Sequence, residues 1–144
     1  MPHIRPATPA DIPALLDGIT QLAAHHGDAA SATPATLARD LFGPTPWMHA
    51  LIFDNHAGYA ILLPLAQIQY GRRGMDLHHL FIWPDHRGSG MGRALLAACA
   101  DRARGLGCTY LTVGTHPANT AAETYYLANG FARRDPSPRF AMQL

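Results

Sequence analysis

Lysine is absent from this chain of 144 residues, and glutamate occurs once, at Glu123. Every strongly basic side chain is therefore arginine, and the chain offers no lysine amine for self-modification. Alongside abundant alanine, this bias reflects codon usage rather than function. Charge of either sign is scarce and nearly balanced, with 11 Lys+Arg against 10 Asp+Glu and a net charge of +1. Bulk charge thus gives no case for nucleic acid or an anionic membrane as partner. The two cysteines, Cys99 and Cys108, lack CxxC spacing. They read as small buried hydrophobes in a reducing, cytoplasmic setting. No apolar run approaches the ~20 residues that span a bilayer, and Met1-Pro2-His3-Ile4-Arg5 carries no signal-peptide core. Nine histidines are present, but no H-x-x-x-H or Cys/His spacing, so no metal is expected. What is present is an ordinary globular composition, 48% hydrophobic, expected to form a single domain over residues 1–144.

His3–Pro6 reads as a first strand. Thr8-Pro9-Ala10-Asp11 is a helix start, and Ile12, Leu15, Leu16, Ile19, Leu22 and Ala23 follow on one helical face, ending near His26-Gly27. Gly27–Thr33 is a loop. Thr33-Pro34 opens a second helix that Gly43-Pro44 stops. Trp47–Phe53 and Gly58–Ala66 pair as a hairpin about Asp54-Asn55-His56. After a turn at Gly71–Gly74, Asp76–Trp83 returns as a central strand. A third helix spans Met91–Leu106, and Cys108–Thr115 is a further strand. Thr120–Glu123 is a capping box opening a fourth helix that Gly130 terminates. Phe131–Arg134 and Arg139–Leu144 close the chain as a hairpin. The expected class is α/β (α+β): a mixed, mostly antiparallel central sheet with helices on both faces. In chain order it runs strand, two helices, three strands, helix, strand, helix, two strands.

Between the central strand and the third helix lies Arg87-Gly88-Ser89-Gly90-Met91-Gly92. Glycines there permit a tight turn and close approach of backbone N–H groups to a phosphate, at the partly positive end of a helix. A dinucleotide site expects this loop after the first strand of a βαβ unit, with an acid ~20 residues on. Here it follows the last strand of a meander, and Asp101 is too near. No G-x-x-x-x-G-K-[ST] motif occurs.

Arg87-x-x-Gly90-x-Gly92 resembles the Q/R-x-x-G-x-G/A motif of the GCN5-related N-acetyltransferases (GNAT). Leu77-His78-His79-Leu80-Phe81-Ile82-Trp83-Pro84-Asp85-His86 resembles that family's fourth strand. Asn119-x-x-Ala122-x-x-x-Tyr126-x-x-x-Gly130-Phe131 is similar to its later motif. The order of elements fits the family along essentially the whole chain. Leu22-Ala23-Ala24-His25-His26 and Arg39-Asp40-Leu41-Phe42-Gly43 faintly resemble the diamine-acetylating branch.

The resemblance implies acetyl-CoA as acyl donor. Its pyrophosphate would lie on the Arg87, Gly88, Ser89, Gly90, Met91 and Gly92 loop, with Arg93 beside it. Its pantetheine arm would lie along Leu80, Phe81 and Ile82, and Asn119 would contact the cofactor or its loop. Tyr126 matches the family's general acid, and a phenol of pKa ~10 suits protonation of a thiolate. Tyr125 is read as packing. A backbone N–H near Leu80 or Phe81 would serve the oxyanion.

Where relatives carry glutamate on the fourth strand, this chain has His78, a possible base. Strand alternation expects only one of His78 and His79 in the cleft. Parity with Ile82 favours His78, with His79 packed against a helix. His116 is a second base candidate. Gly27–Thr36, the second helix and the Tyr70–Gly74 turn are expected to border the acceptor. Arg72-Arg73 on that turn disfavours a cationic polyamine and favours a smaller or carboxylate-bearing amine. The expected function is acetyl transfer to a small-molecule amine, with a homodimer as the favoured assembly. A non-catalytic acyl-CoA sensor and a protein or peptide N-acetyltransferase stand as alternatives.

Overall fold

The structure, a computed structural model, describes residues 1–134 and 136–144. The chain divides into two compact units, Met1–Gly114 and Thr115–Leu144. The first holds β1 (Ile4–Pro6), α1 (Ile12–His25), α2 (Pro34–Phe42), β2 (His49–Phe53), β3 (Gly58–Gln67), β4 (Arg72–Ile82), α3 (Met91–Gly105) and β5 (Cys108–Val113). The sheet order is β1-β2-β3-β4-β5. All neighbours are antiparallel except β4 and β5, which are parallel. A parallel pair needs a crossover, and α3 supplies it.

Burial follows from alternation along the strands. Ile52, Tyr59, Ile61 and Phe81 form one buried cluster with Leu15 of α1 and Leu37 of α2. Their neighbours Leu51, Phe53, Ala60 and Leu62 are also buried and project from the opposite face. There α3, packed on β3, β4 and β5, contributes Leu95, Leu96 and Cys99. The expected helices on both faces are thus present in this unit.

The carboxylate of Asp11, 2% exposed, ties the amino-terminal end together. It accepts from Arg5 at 2.7 and 3.0 Å and from the Thr8 backbone N–H at 2.8 Å. His56 Nε2, from the β2–β3 turn, lies 3.0 Å away. Arg5 also donates to Asp54 at 2.7 Å. The Arg5 hydrogen bonds hold the Asp11 carboxyl well below the usual carboxylate range despite its burial. The first turn, Pro9–Asp11, is a 3₁₀ turn, so α1 proper begins at Ile12.

Three expectations need correction. First, β3 runs on to Gln67 and pairs Gln67 with Arg72, so the chain reverses through Ile68–Gly71 and not at Gly71–Gly74. Gly74 is a strand residue whose missing side chain admits the Tyr110 ring; a Cβ there would overlap it. Second, the fourth helix is capped one residue earlier than expected. α4 (Thr120–Ala128) has Asn119 as N-cap, with Oδ1 accepting from the Ala122 N–H at 3.1 Å. Third, 131–134 and 139–144 hold no strand. Their expected turn includes Asp135, which lies outside the described residues. Phe140 and Met142 are 95% and 83% exposed. Alternation makes a strand only where one face finds a surface to cover, and Pro136 and Pro138 remove backbone donors from the approach.

Removing the Asp11 carboxylate strips partners from Arg5, Thr8 and His56 together. Asp11→Ala is expected to cost about 2–4 kcal/mol, as for a broken, largely buried ion pair. Urea unfolding measures it; a loss below about 0.5 kcal/mol would make the cluster a surface decoration.

Candidate acyl-transfer site

The glycine loop has the backbone its sequence calls for. Gly88 and Gly90 take φ of 78° and 81°, a region other residues enter only with strain. A Cβ at either would meet no atom within 4 Å, so the outer surface of the loop is open. Gly90 caps α3 without a side-chain hydrogen bond, and the Ala94 N–H bonds back to its carbonyl. The first-turn amides of α3 therefore stay available to an anion. Arg87 and Ser89 brace the loop: Arg87 Nε donates to the Ile82 carbonyl at 2.8 Å and Ser89 Oγ to the His86 carbonyl at 2.8 Å. The Arg87 guanidinium lies 5.5 Å from the Phe81 ring centre. Arg93 sits exposed in the first turn of α3.

Directly before the loop, β4 loses a neighbour. Its ladder with β5 ends at Leu77 and Val113, while β4 continues to Ile82 on β3 alone. Among the described residues no strand pairs with the other edge of 78–82. Half of that segment's backbone groups are thereby left for something else to satisfy. Leu80, Phe81 and Ile82, predicted to carry the pantetheine arm, lie in this segment.

The expectation that His78 and His79 face opposite sides is overturned. Ile61 pairs with His79, but the next residue, Leu62, pairs with Leu77. His78 is the extra residue of a β-bulge, where two residues oppose one and simple alternation fails. The imidazoles stack at 4.8 Å with 13° between their planes. Both line a cleft of about 320 Å³ whose other walls are α1 and the loop after it, including Leu22, His26, Asp28 and Ser31. Part of the expected acceptor border, Gly27–Thr36, is thus on this cleft. Arg72 and Arg73 are not. Arg72 bonds Thr109 and covers the Tyr110 ring, and Arg73 reaches the Leu106 carbonyl. The charge argument against a cationic acceptor lapses with that placement.

Behind His79 stands a residue that the sequence reading did not single out. Tyr59 is fully buried among Phe81 and Trp83, and its hydroxyl lies 3.2 Å from His79 Nδ1. Burial raises the phenol, so it stays protonated. No other acceptor for it is present among the described residues. If Nδ1 carried the proton, the Tyr59 O–H would be buried without a partner, at about 1–3 kcal/mol. The O–H therefore donates to Nδ1, and the proton of neutral His79 sits on Nε2. Burial, then the charges of His78 and His26, push His79 down to about 4. No periodicity in the sequence marks a tyrosine twenty residues away as its partner.

The second unit carries the other candidates. Asn119 caps α4, as described. Tyr126 is partly buried, with its ring 5.4 Å from both Tyr125 and Phe131. Gly130, at φ 92°, lets the chain turn so that the Phe131 N–H bonds the Tyr126 carbonyl at 3.1 Å. His116 is exposed, and its Nδ1 accepts from the Ala118 N–H at 3.1 Å.

A mixed sheet with a glycine-looped crossover helix beside a splayed strand end is the architecture of acyl-CoA N-acyltransferases. Comparison with solved structures agrees on the fold. A putative acetyltransferase from Arthrobacter sp. FB24 aligns over 100% of this chain and 97% of its own, with TM-score 0.81 and 24% identity. A ribosomal-protein-alanine N-acetyltransferase from Brucella melitensis aligns over 99% and 100%, with TM-score 0.78 and 19% identity. The model of the Acetyltransferase (GNAT) family matches residues 18–131, and the chain belongs to that family. Among curated proteins, rat N-acetyltransferase 8B is 34% identical over 71 residues, 49% of this chain and 32% of the relative. The chain thus spans about a third of that relative's length.

His79 also leaves a mark on stability. Its folded pKa, about 4, lies below the unfolded value of 6.5, so the unfolded chain binds more protons between them. Stability should therefore fall as pH drops from about 6.5 to 4, by at most ~1.4 kcal/mol per pH unit from this group. Asp11, whose pKa is depressed, holds its contribution above the unfolded carboxylate value and loses it only below about pH 4. Urea midpoints across this range should show both slopes, and His79→Gln should flatten the upper one alone. An unaltered upper slope would assign it to other histidines.

Proposed function

We propose that the chain is an N-acetyltransferase that moves an acetyl group from acetyl-CoA to a small-molecule amine by direct attack. The observation that carries this reading is the junction of β4 and α3. An open, positive-φ glycine loop and a helix start with no side-chain cap follow a strand edge that β5 has left. The loop amides of Gly88, Ser89, Gly90, Met91 and Gly92, with Arg87 and Arg93, suit the pyrophosphate. The open edge of Leu80, Phe81 and Ile82 suits the amides of the pantetheine arm, as a strand adds to a sheet. Asn119 is assigned to the cofactor-binding set by its motif; capping α4 occupies its Oδ1. When bound, acetyl-CoA supplies an acyl group activated as a thioester.

The residues of the chain then have separate duties. The cleft beside His78 and His79 orients the amine toward the acyl carbon. As the C–N bond forms, the ammonium proton passes to His78, directly or through water, and a backbone N–H near Leu80 or Phe81 steadies the oxyanion. As the C–S bond breaks, Tyr126 gives its proton to the departing sulfur.

Tyr126→Phe should lower kcat about 10²–10³-fold, the range for removing a general acid, with KM for acetyl-CoA little changed. Gly90→Val, which forces a β-branched residue to φ 81°, should act chiefly on that KM. A thiol-release assay with acetyl-CoA and longer acyl-CoAs against an amine panel reads both. Full activity in Tyr126→Phe across the pH range would remove the acid role.

A further inference from the structure

The geometry points to a division of labour between the two stacked imidazoles. We propose that His79 is a fixed hydrogen-bond donor of the acceptor cleft, oriented by Tyr59, and that the cleft therefore selects an α-amino carbonyl compound. The inference rests on the cleft's being the acceptor site proposed above.

The argument begins with what His79 does not use. Nδ1 is committed to the Tyr59 hydroxyl. Its other polar atom, Nε2, is bonded to nothing among the described residues, and it is not a buried atom left without a partner. Its ring lines the cleft. Since the buried phenol donates to Nδ1, Nε2 carries the hydrogen, and the cleft receives an N–H and not a lone pair. This group cannot take the ammonium proton in that tautomer. His78, the bulge residue stacked upon it and exposed, is left as the acceptor of protons. Tyr59 touches no substrate in this scheme; it is a positioning residue.

A fixed donor beside the nucleophile's path asks for a matching acceptor atom. An amine whose neighbouring carbon bears a carbonyl oxygen carries one next to the reacting nitrogen. The walls from Leu22, Ile19 and Ala23 are apolar and suit a hydrocarbon side group. A plain alkylamine seated there would cover the His79 N–H without giving it a partner, which is how such sites reject a substrate that lacks the polar group.

The probe pair is leucinamide and the alkylamine in which isopropyl replaces its carboxamide. In the thiol-release assay leucinamide should have the higher kcat/KM by about tenfold or more. His79→Phe should bring the ratio near one. His79→Gln should restore it, because a glutamine amide can accept from Tyr59 and donate to the cleft yet cannot act as a base. A tripeptide amide beginning with leucine tells the source of the chemistry. Turnover matching leucinamide assigns it to a peptide N-terminus, and weaker turnover to a free metabolite. Independently of activity, long-range ¹H–¹⁵N spectra of the imidazoles should show His79 as the Nε2–H tautomer, with Tyr59→Phe losing that fixed state. A ratio near one in the wild type, or an Nδ1–H tautomer, overturns the inference while leaving acetyl transfer intact. Should no amine turn over, the transfer reading fails by itself. Leucinamide would then still have to shift the His79 Nε2–H signal where the alkylamine does not, and equal or absent shifts would sink the donor role.

Discussion

One extra residue in a strand governs the candidate site. Between Ile61 and Leu62 the register of β3 against β4 slips, and His78 is left without a partner of its own. Without the slip, one imidazole would face α1 and the other α3. With it, both reach the same cleft, one stacked on the other, and Tyr59 stands behind the second. The bulge also falls where the β5 ladder stops, so β4 changes character within two residues. Below Leu77 it is an inner strand with two neighbours; above, it has one neighbour and an open edge. A bulge increases twist and bends its strand, so the two changes have a common origin.

How far the sequence disclosed this can be traced residue by residue. The loop from Arg87 to Gly92 was legible because its chemistry is local: glycine at positive φ, then a helix start. The helix faces were legible because 3.6-residue periodicity survives whatever the helix packs on. The cleft histidines were only half legible. Their presence could be read, but their common side depends on a bulge, and nothing in Leu77-His78-His79-Leu80 announces one. Tyr59 was invisible as a partner of His79, since the pairing arises from register between strands and not from spacing within one. Arg72 and Arg73 lie on β4 and not on the turn their glycine flanks suggest, because the chain reverses three residues earlier. Gly74 has the look of a turn residue in the sequence, yet it is small to admit Tyr110. Phe140, Met142 and Leu144 alternate as a strand would, yet alternation states only what a strand would bury if a sheet were there to receive it.

Several buried groups of this fold are held in one protonation state by their surroundings. Asp11 is held ionised by Arg5. Tyr59 is held protonated by its apolar surroundings, and it in turn fixes the hydrogen of His79. Cys99, fully buried on the inner face of α3, has its thiol pushed up to about 12, which leaves it chemically quiet.

The strand β1 bears on how this molecule meets others of its kind. It is three residues long, forms the outer border of the sheet, and ends in Pro6, which has no N–H to offer. A border so short and interrupted gives a passing strand almost nothing to pair with. The sheet therefore stops at β1 on that side, and its hold on that last strand is partly ionic, through Arg5 and Asp54. The same guanidinium that fastens the amino-terminal turn through Asp11 thus also helps to keep the longer, better-formed edge of β2 covered.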